Sequence, residues 1–153
     1  MRQIEFCERV SQYRHQFYIT AYAILGNEAD AEDAVCNAIL NGYEHLGQLK
    51  DSRKFKAWML TITKNEALKI CSKRMEFLGD GNIERLLPPS YDSHNELWDV
   101  VQSLKDEYRI VIVLFYYDDL SLRDIASVLG ISIGTVKSRL NRGRKLLKDA
   151  LGE

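Results

Sequence analysis

The sequence predicts an all-α protein: two small helical domains joined by a linker, the C-terminal one containing a helix-turn-helix. Three observations predict it. Residues 121–147, SLRDIASVLGISIGTVKSRLNRGRKLL, read as two amphipathic helices separated by a glycine turn. Upstream, apolar residues recur at helical rather than alternating spacing. Between these parts lies GDGNIERLLPPSYDSHN, residues 79–95, with Gly79, Gly81, Pro88, Pro89 and little periodicity. A chain of 153 residues can form one domain or two small ones. The expected division is a domain over 1–77, a linker over 78–95 and a domain over 96–153.

The elements follow in order. Residues 3–25 carry an aromatic stripe, with Val10, Tyr13, Phe17 and Ala21 at helical spacing, which reads as core. Gly26-Asn27 breaks this helix. A second helix is expected over 28–46, with Ala31, Val35, Ala38, Ile39, Gly42 and Leu46 inward. Its acidic start suits the positive end of the helix dipole. Residues 47–54 form a turn-rich loop, and a third helix runs over 55–74, with Trp58, Ile62 and Leu68 among its apolar positions. After the linker, Leu97, Val100, Val101 and Leu104 recur helically. Residues 110–117 are eight consecutive apolar, β-rich residues, which periodicity alone leaves open to a buried strand. A helix is favoured because no partner strand is apparent.

The helix-turn-helix carries its own signals. Ser121 can cap its first helix with Asp124 as the acidic half of a capping box, and Ile125, Ala126 and Leu129 give that helix an apolar edge. Gly130 sits where the chain must turn, and Ser132 can cap the next helix. On the second helix Val136, Leu140, Gly143 and Leu147 face one way. Gly134, Ser138, Asn141, Arg142 and Lys145 face the other, flanked by Lys137, Arg139 and Arg144. An apolar stripe opposite a basic, amide-bearing and hydroxyl-bearing face suits the DNA major groove. The bland alternative is a solvated helical hairpin, which the turn and cap chemistry disfavours.

The net charge of −1 hides segregated blocks. Residues 26–50 sum to −4, 51–76 to +4, 80–107 to −5 and 121–153 to +4. Two basic blocks suggest two DNA contacts, and the acidic blocks suggest another partner. No apolar run reaches membrane-spanning length and the N-terminus lacks a signal-like apolar stretch, so a cytoplasmic chain without membrane insertion is expected. Cys7, Cys36 and Cys71 are odd in number and far apart, indicating neither disulfide nor zinc; they read as buried small hydrophobes. His15, His45 and His94 are scattered, and no nucleophile constellation or phosphate-cradling loop is present, so neither an enzyme nor a cofactor is expected.

Three stretches resemble bacterial RNA polymerase sigma factors of the extracytoplasmic-function (ECF) class, sigma-70 regions 2 and 4. They are Asp30-Ala31-Glu32-Asp33, then Phe55-Lys56-Ala57-Trp58-Met59-Leu60 with Ile62 and Lys64-Asn65, then Gly134-Thr135-Val136-Lys137-Ser138-Arg139-Leu140 with Arg142-Gly143-Arg144. Their order and separation match over nearly the whole chain. The resemblance implies a promoter-specificity subunit. Region 2 would bind the polymerase clamp and open the −10 element; region 4 would bind the polymerase flap and the −35 element.

In residues, the resemblance implies core polymerase contacts at Asp30, Glu32, Asp33 and Asn37, with Asp33 the best matched. It implies −10 contacts at Lys50, Asp51, Ser52, Arg53, Trp58, Lys64, Asn65, Lys73 and Arg74, the first four in a loop that captures a flipped base. It implies −35 contacts at Ser132, Gly134, Thr135, Lys137, Ser138, Arg139, Asn141, Arg142 and Lys145. It also implies an anti-sigma partner, membrane-anchored in many members. Cys36-Asn37 stands where Gln-Glu is common, Ile39 replaces an aromatic, Leu60-Thr61 replaces Tyr-Arg, Lys69 replaces Asp, and a Pro common near Lys105 is absent. The competing functions are a stand-alone helix-turn-helix regulator and, less well supported, a DNA-acting enzyme such as a recombinase.

Overall fold

A computed structural model describes residues 1–78 and 96–152, and these are helical throughout apart from short turns. The chain divides into two compact units at Pro88–Pro89. Of the expected linker, Leu78 instead closes a helix; residues 79–95 lie outside the described residues.

Unit 1 is a three-helix bundle of α1 (Gln3–Leu25), α2 (Glu28–Glu44) and α3 (Phe55–Leu78), each packed on the other two. Gly26 ends α1 at φ 76°, a left-handed conformation that costs glycine little, and donates its N–H to the Tyr22 carbonyl. Asn27 then caps α2, its side chain accepting from the Asp30 N–H. The core joins Phe6, Phe17 and Leu25 to Ala31, Ala34, Val35 and Ala38 and to Phe55, Met59, Leu60 and Ala67. Small residues on α2 bring its backbone close to α3: a Cβ built on Gly42 would lie 2.6 Å from the Met59 sulfur.

The expected second helix stops at Glu44, and Leu46, still buried, begins a 3-10 turn. The third helix extends past Arg74 to Leu78. Leu68 is not a core residue; its face of α3 points to solvent. The cysteines are also not buried as expected. Cys71 is half-buried; Cys7 and Cys36 are exposed, each following an inward residue (Phe6, Val35) about 100° round its helix.

Unit 2 contains α4 (Glu96–Ser103), α5 (Asp106–Ile112), a π-helical turn (Val113–Tyr117), α6 (Leu122–Leu129) and α7 (Ile133–Leu151), with α7 packed on α4, α5 and α6. The apolar run 110–117 is therefore helical, not a strand. Its interior register changes at the π turn, where the Asp118 N–H reaches back to the Val113 carbonyl. Val111 and Ile112 at the end of α5 and Val113 and Leu114 at the start of the π turn are all buried. Of the apolar residues that recur helically here, Leu97 is exposed, leaving Val101 and Leu104 as that segment's buried residues. On α6 Val128 is buried and Leu129 only half-buried, a small rotation of the expected edge.

Arg109 is the structural residue that sequence patterning missed. It is 2% exposed, and its guanidinium donates to the Gln102 and Leu104 carbonyls at 3.0 Å each and to the Asp106 carboxylate. It thereby satisfies the carbonyl groups left open where α4 ends.

Candidate nucleic-acid interface

The helix-turn-helix forms from the chemistry that the sequence suggested. The Ser121 hydroxyl accepts from the Asp124 N–H at 3.1 Å, Gly130 turns the chain at φ 68°, and the Ser132 hydroxyl accepts from the Thr135 N–H at 3.1 Å. These fix the angle at which α7 leaves α6. Val136, Leu140 and Gly143 are buried, with Ile112 against Gly143, and Leu147 is half-buried. The opposite face exposes Ser132, Gly134, Lys137, Ser138, Asn141, Arg142 and Lys145, while Thr135 and Arg139 are half-buried.

Two residues that sequence reasoning did not single out complete this surface. Glu107 and Tyr108, at the start of α5, line one concavity with Ser132, Gly134, Thr135, Ser138, Arg139 and Arg142. Glu107 approaches Arg139 to 3.9 Å. No local motif could have signalled this, since the two elements meet only in the fold. Arg144 has a different environment: its guanidinium lies 5.3 Å from the Phe115 ring centroid and 5.6 Å from that of Tyr116. Its Nε donates to the Tyr116 hydroxyl at 2.5 Å.

In unit 1 the loop before α3 exposes Lys50, Ser52 and Arg53, with Asp51 half-exposed. The Asp51 carboxylate accepts from the Arg53 backbone N–H at 3.0 Å and from its Nε at 3.1 Å. These hydrogen bonds hold the Asp51 carboxyl below its usual range and push the Arg53 guanidinium up. Along α3, Trp58 and Asn65 share a face by helical spacing, Trp58 half-buried and Asn65 exposed. Lys73 is exposed; Lys64 is half-buried, and burial lowers its ammonium pKa.

Arg74 is not on that face. Its Nη1 lies 3.2 Å from the Asp30 carboxylate and its Nη2 donates to the Leu25 carbonyl at 3.0 Å. Asp30 also accepts from the Asn27 side chain at 2.9 Å. The structure thus joins one residue assigned to DNA and one assigned to polymerase in a latch across the α1–α2 turn. Glu32, Asp33 and Asn37 remain exposed on α2. Cys36 and Leu40, the latter 63% exposed, extend the Asp33–Asn37 strip, and Leu40 was missed because it looks like any apolar helix position. Among the described residues no cluster of His, Cys, Asp and Glu could hold a metal ion.

Known proteins resemble both units. The family model described as Sigma-70 region 2 matches residues 9–76, and that described as Sigma-70, region 4 matches residues 94–147. The ECF RNA polymerase sigma factor SigW of Bacillus subtilis is 32% identical over 168 residues, spanning 97% of this chain and 90% of SigW. The chain belongs to the ECF sigma factors. SigL of Mycobacterium tuberculosis is 30% identical over 143 residues, spanning 87% of this sigma factor and 81% of SigL. The fold matches that of the sigma factor RpoE from Bartonella quintana, solved with the anti-sigma factor NepR, at a TM-score of 0.81, 24% identity and 97% coverage of both chains. This sigma factor is thus a promoter-specificity subunit of RNA polymerase, not an enzyme and not a stand-alone regulator. No described helix is long and apolar enough to cross a membrane.

Proposed function

We propose that unit 1 (region 2) engages core polymerase and the −10 element, and that unit 2 (region 4) engages the −35 element. The observation that carries this is the α7 face, where Asn141, Arg142 and Lys145 stand exposed opposite the buried Val136–Leu140–Gly143 stripe. Arg142 and Asn141 read base edges, while Lys137 and Lys145 meet phosphates. In unit 1 the residue 50–53 loop takes an unstacked −10 base, and Trp58 with Asn65 follows the melted strand. Asp33 and Asn37, with Leu40, meet the polymerase clamp. Asp30 and Arg74 support these surfaces from behind through their latch rather than as primary contacts. The chain acts in the cytoplasm, where an anti-sigma protein holds it until a signal arrives. The Bartonella sigma factor, of the same fold and bound to its anti-sigma factor, supports that partner.

Run-off transcription with bacterial core polymerase on promoters from the source genome tests this reading. Stimulation that falls with Arg142→Ala at the −35 element, and with Asp33→Ala through weaker core binding, is expected. Unchanged transcription and core binding in both variants would remove the residue assignments.

A further inference from the structure

One stripe of α1 attends the loop before α3. Glu5, Arg9 and Tyr13 follow at i, i+4 and i+8, so they lie along a single face. Arg9 Nη1 donates to the Ser52 carbonyl at 2.5 Å, 43 residues away in sequence. Its Nη2 lies 3.2 Å from Glu5 Oε1. Its guanidinium also lies 5.9 Å from the centroid of Phe55, a ring buried to 1% exposure. Next along the stripe, Lys56 sits 5.6 Å from the Tyr13 ring. Glu5 and Phe55 hold the guanidinium in place, with Nη1 on the backbone of the loop. Arginine suits this task because its planar fork can serve a carboxylate and a carbonyl at once.

We infer that Arg9 is a positioning residue for promoter specificity: by holding the Ser52 carbonyl it sets the conformation in which Asp51 and Arg53 meet the −10 base. This rests on the proposed −10 reading of residues 50–53. Ser52 lies between those two side chains, and the local restraints on the loop are one-sided. The Lys54 N–H returns to the Asp51 carbonyl, and Asp51 pairs with Arg53. The Ser52 carbonyl also accepts from the Phe55 N–H, which ties the turn to the start of α3, and Arg9 adds a tie from α1. Arg9 thus sets the loop's placement against α1. It does so without presenting itself to a base, since its guanidinium is already engaged on Glu5, Ser52 and Phe55.

The test uses holoenzyme assembled from the full chain and core polymerase. It selects fork-junction DNA whose single-stranded −10 segment is randomised, and sequencing gives the base preference at each position. Arg9→Met removes the fork while keeping an apolar stem on Phe55. Preference at the one or two positions read by the loop should fall about fivefold or more, within the discrimination that a good base contact supplies. Preference at the other randomised positions and affinity for core polymerase should stay as in wild type. Arg9→Lys, which keeps the charge but can serve only one partner well, should fall between the two. If Arg9→Met does not fold, Arg9→Lys carries the decision. Uniform weakening across all sequences would mark Arg9 as a phosphate contact and overturn the positioning role. So would unchanged preferences. The paired variant Asp51→Asn, Arg53→Ala separates the two readings. If it alters the selected sequence and the Arg9 variants do not, the positioning role falls alone. If none alters it, the loop reading falls too.

Discussion

Arg109→Met should unfold unit 2 selectively, and the size of the effect can be worked from its three contacts. The guanidinium is buried, and two of its bonds go to backbone carbonyls where α4 ends. The Leu104 carbonyl is enclosed, so losing its donor carries a desolvation penalty of about 1–3 kcal/mol. The Gln102 bond is partly buried, so water replaces part of it and the lower end of that range applies. Asp106 is 78% exposed on its side chain and rehydrates, so no buried charge is orphaned. That keeps the loss under the upper end of the roughly 3–5 kcal/mol of breaking a fully buried ion pair. Methionine refills most of the volume with apolar atoms. The sum is about 2–4 kcal/mol, enough to lower the unit 2 melting temperature by roughly 10–25 °C in a unit of this size. The chain has two tryptophans, Trp58 in unit 1 and Trp98 in unit 2, the latter packed edge-on to Tyr117 at 5.2 Å. A Trp58→Phe background therefore makes fluorescence report unit 2 alone. A loss below about 1 kcal/mol, well under the expected sum, would refute the capping account of Arg109.

Three further outcomes are expected. Gly42→Ala forces a Cβ to within 2.6 Å of the sulfur of Met59, a residue with no exposure. Overpacking of about 1–3 kcal/mol outweighs a helix-propensity gain of at most about 1. Urea denaturation read by Trp58 in a Trp98→Phe background should show the loss, and adding Met59→Ala should give less than the sum of the single effects; strict additivity would contradict the contact. Gly130→Ala meets nothing within 4 Å but must keep φ 68°, so unit 2 should lose about 1–2 kcal/mol from backbone strain alone, with Gly130→Asn milder. Equal melting of Gly130→Ala and wild type would argue against that strain. Arg142→Ala should weaken binding to a −35 duplex by roughly 1–3 kcal/mol with a loss of preference at one base. Fluorescence anisotropy against single-base variants of that duplex checks this, and an unchanged affinity at moderate salt removes the base-reading role.

What could be read from the sequence was local. Ser121, Gly130 and Ser132 act on backbone groups within a few residues, so the turn of the helix-turn-helix was visible as a string of letters. The apolar stripe of α7 was visible for the same reason. The run at 110–117 was ambiguous because four consecutive residues, Val111 to Leu114, are buried across the junction of α5 and the π turn, which mimics a core strand. Long-range pairings left no trace in spacing. Arg74 looked like one more base in a basic helix until Asp30 and the Leu25 carbonyl claimed it. Glu107 closed an acidic block and Tyr108 followed it until the fold set them beside Ser138 and Arg142. The cysteines misled because residue type says how often a side chain is buried, while helix phase decides it.

The near-contact of Gly42 with Met59 also bears on how a promoter is measured out. On the proposed assignment, α2 meets polymerase and α3 meets the melted strand. Their spacing is set by a backbone packed directly against the Met59 side chain, which has no exposure and so little room to move. Close-packed interiors resist compression, so the pair works as a ruler of fixed length. One end rests on the enzyme and the other marks where the strand is to be held. A residue with no side chain therefore helps to set the distance between two partners that it never touches.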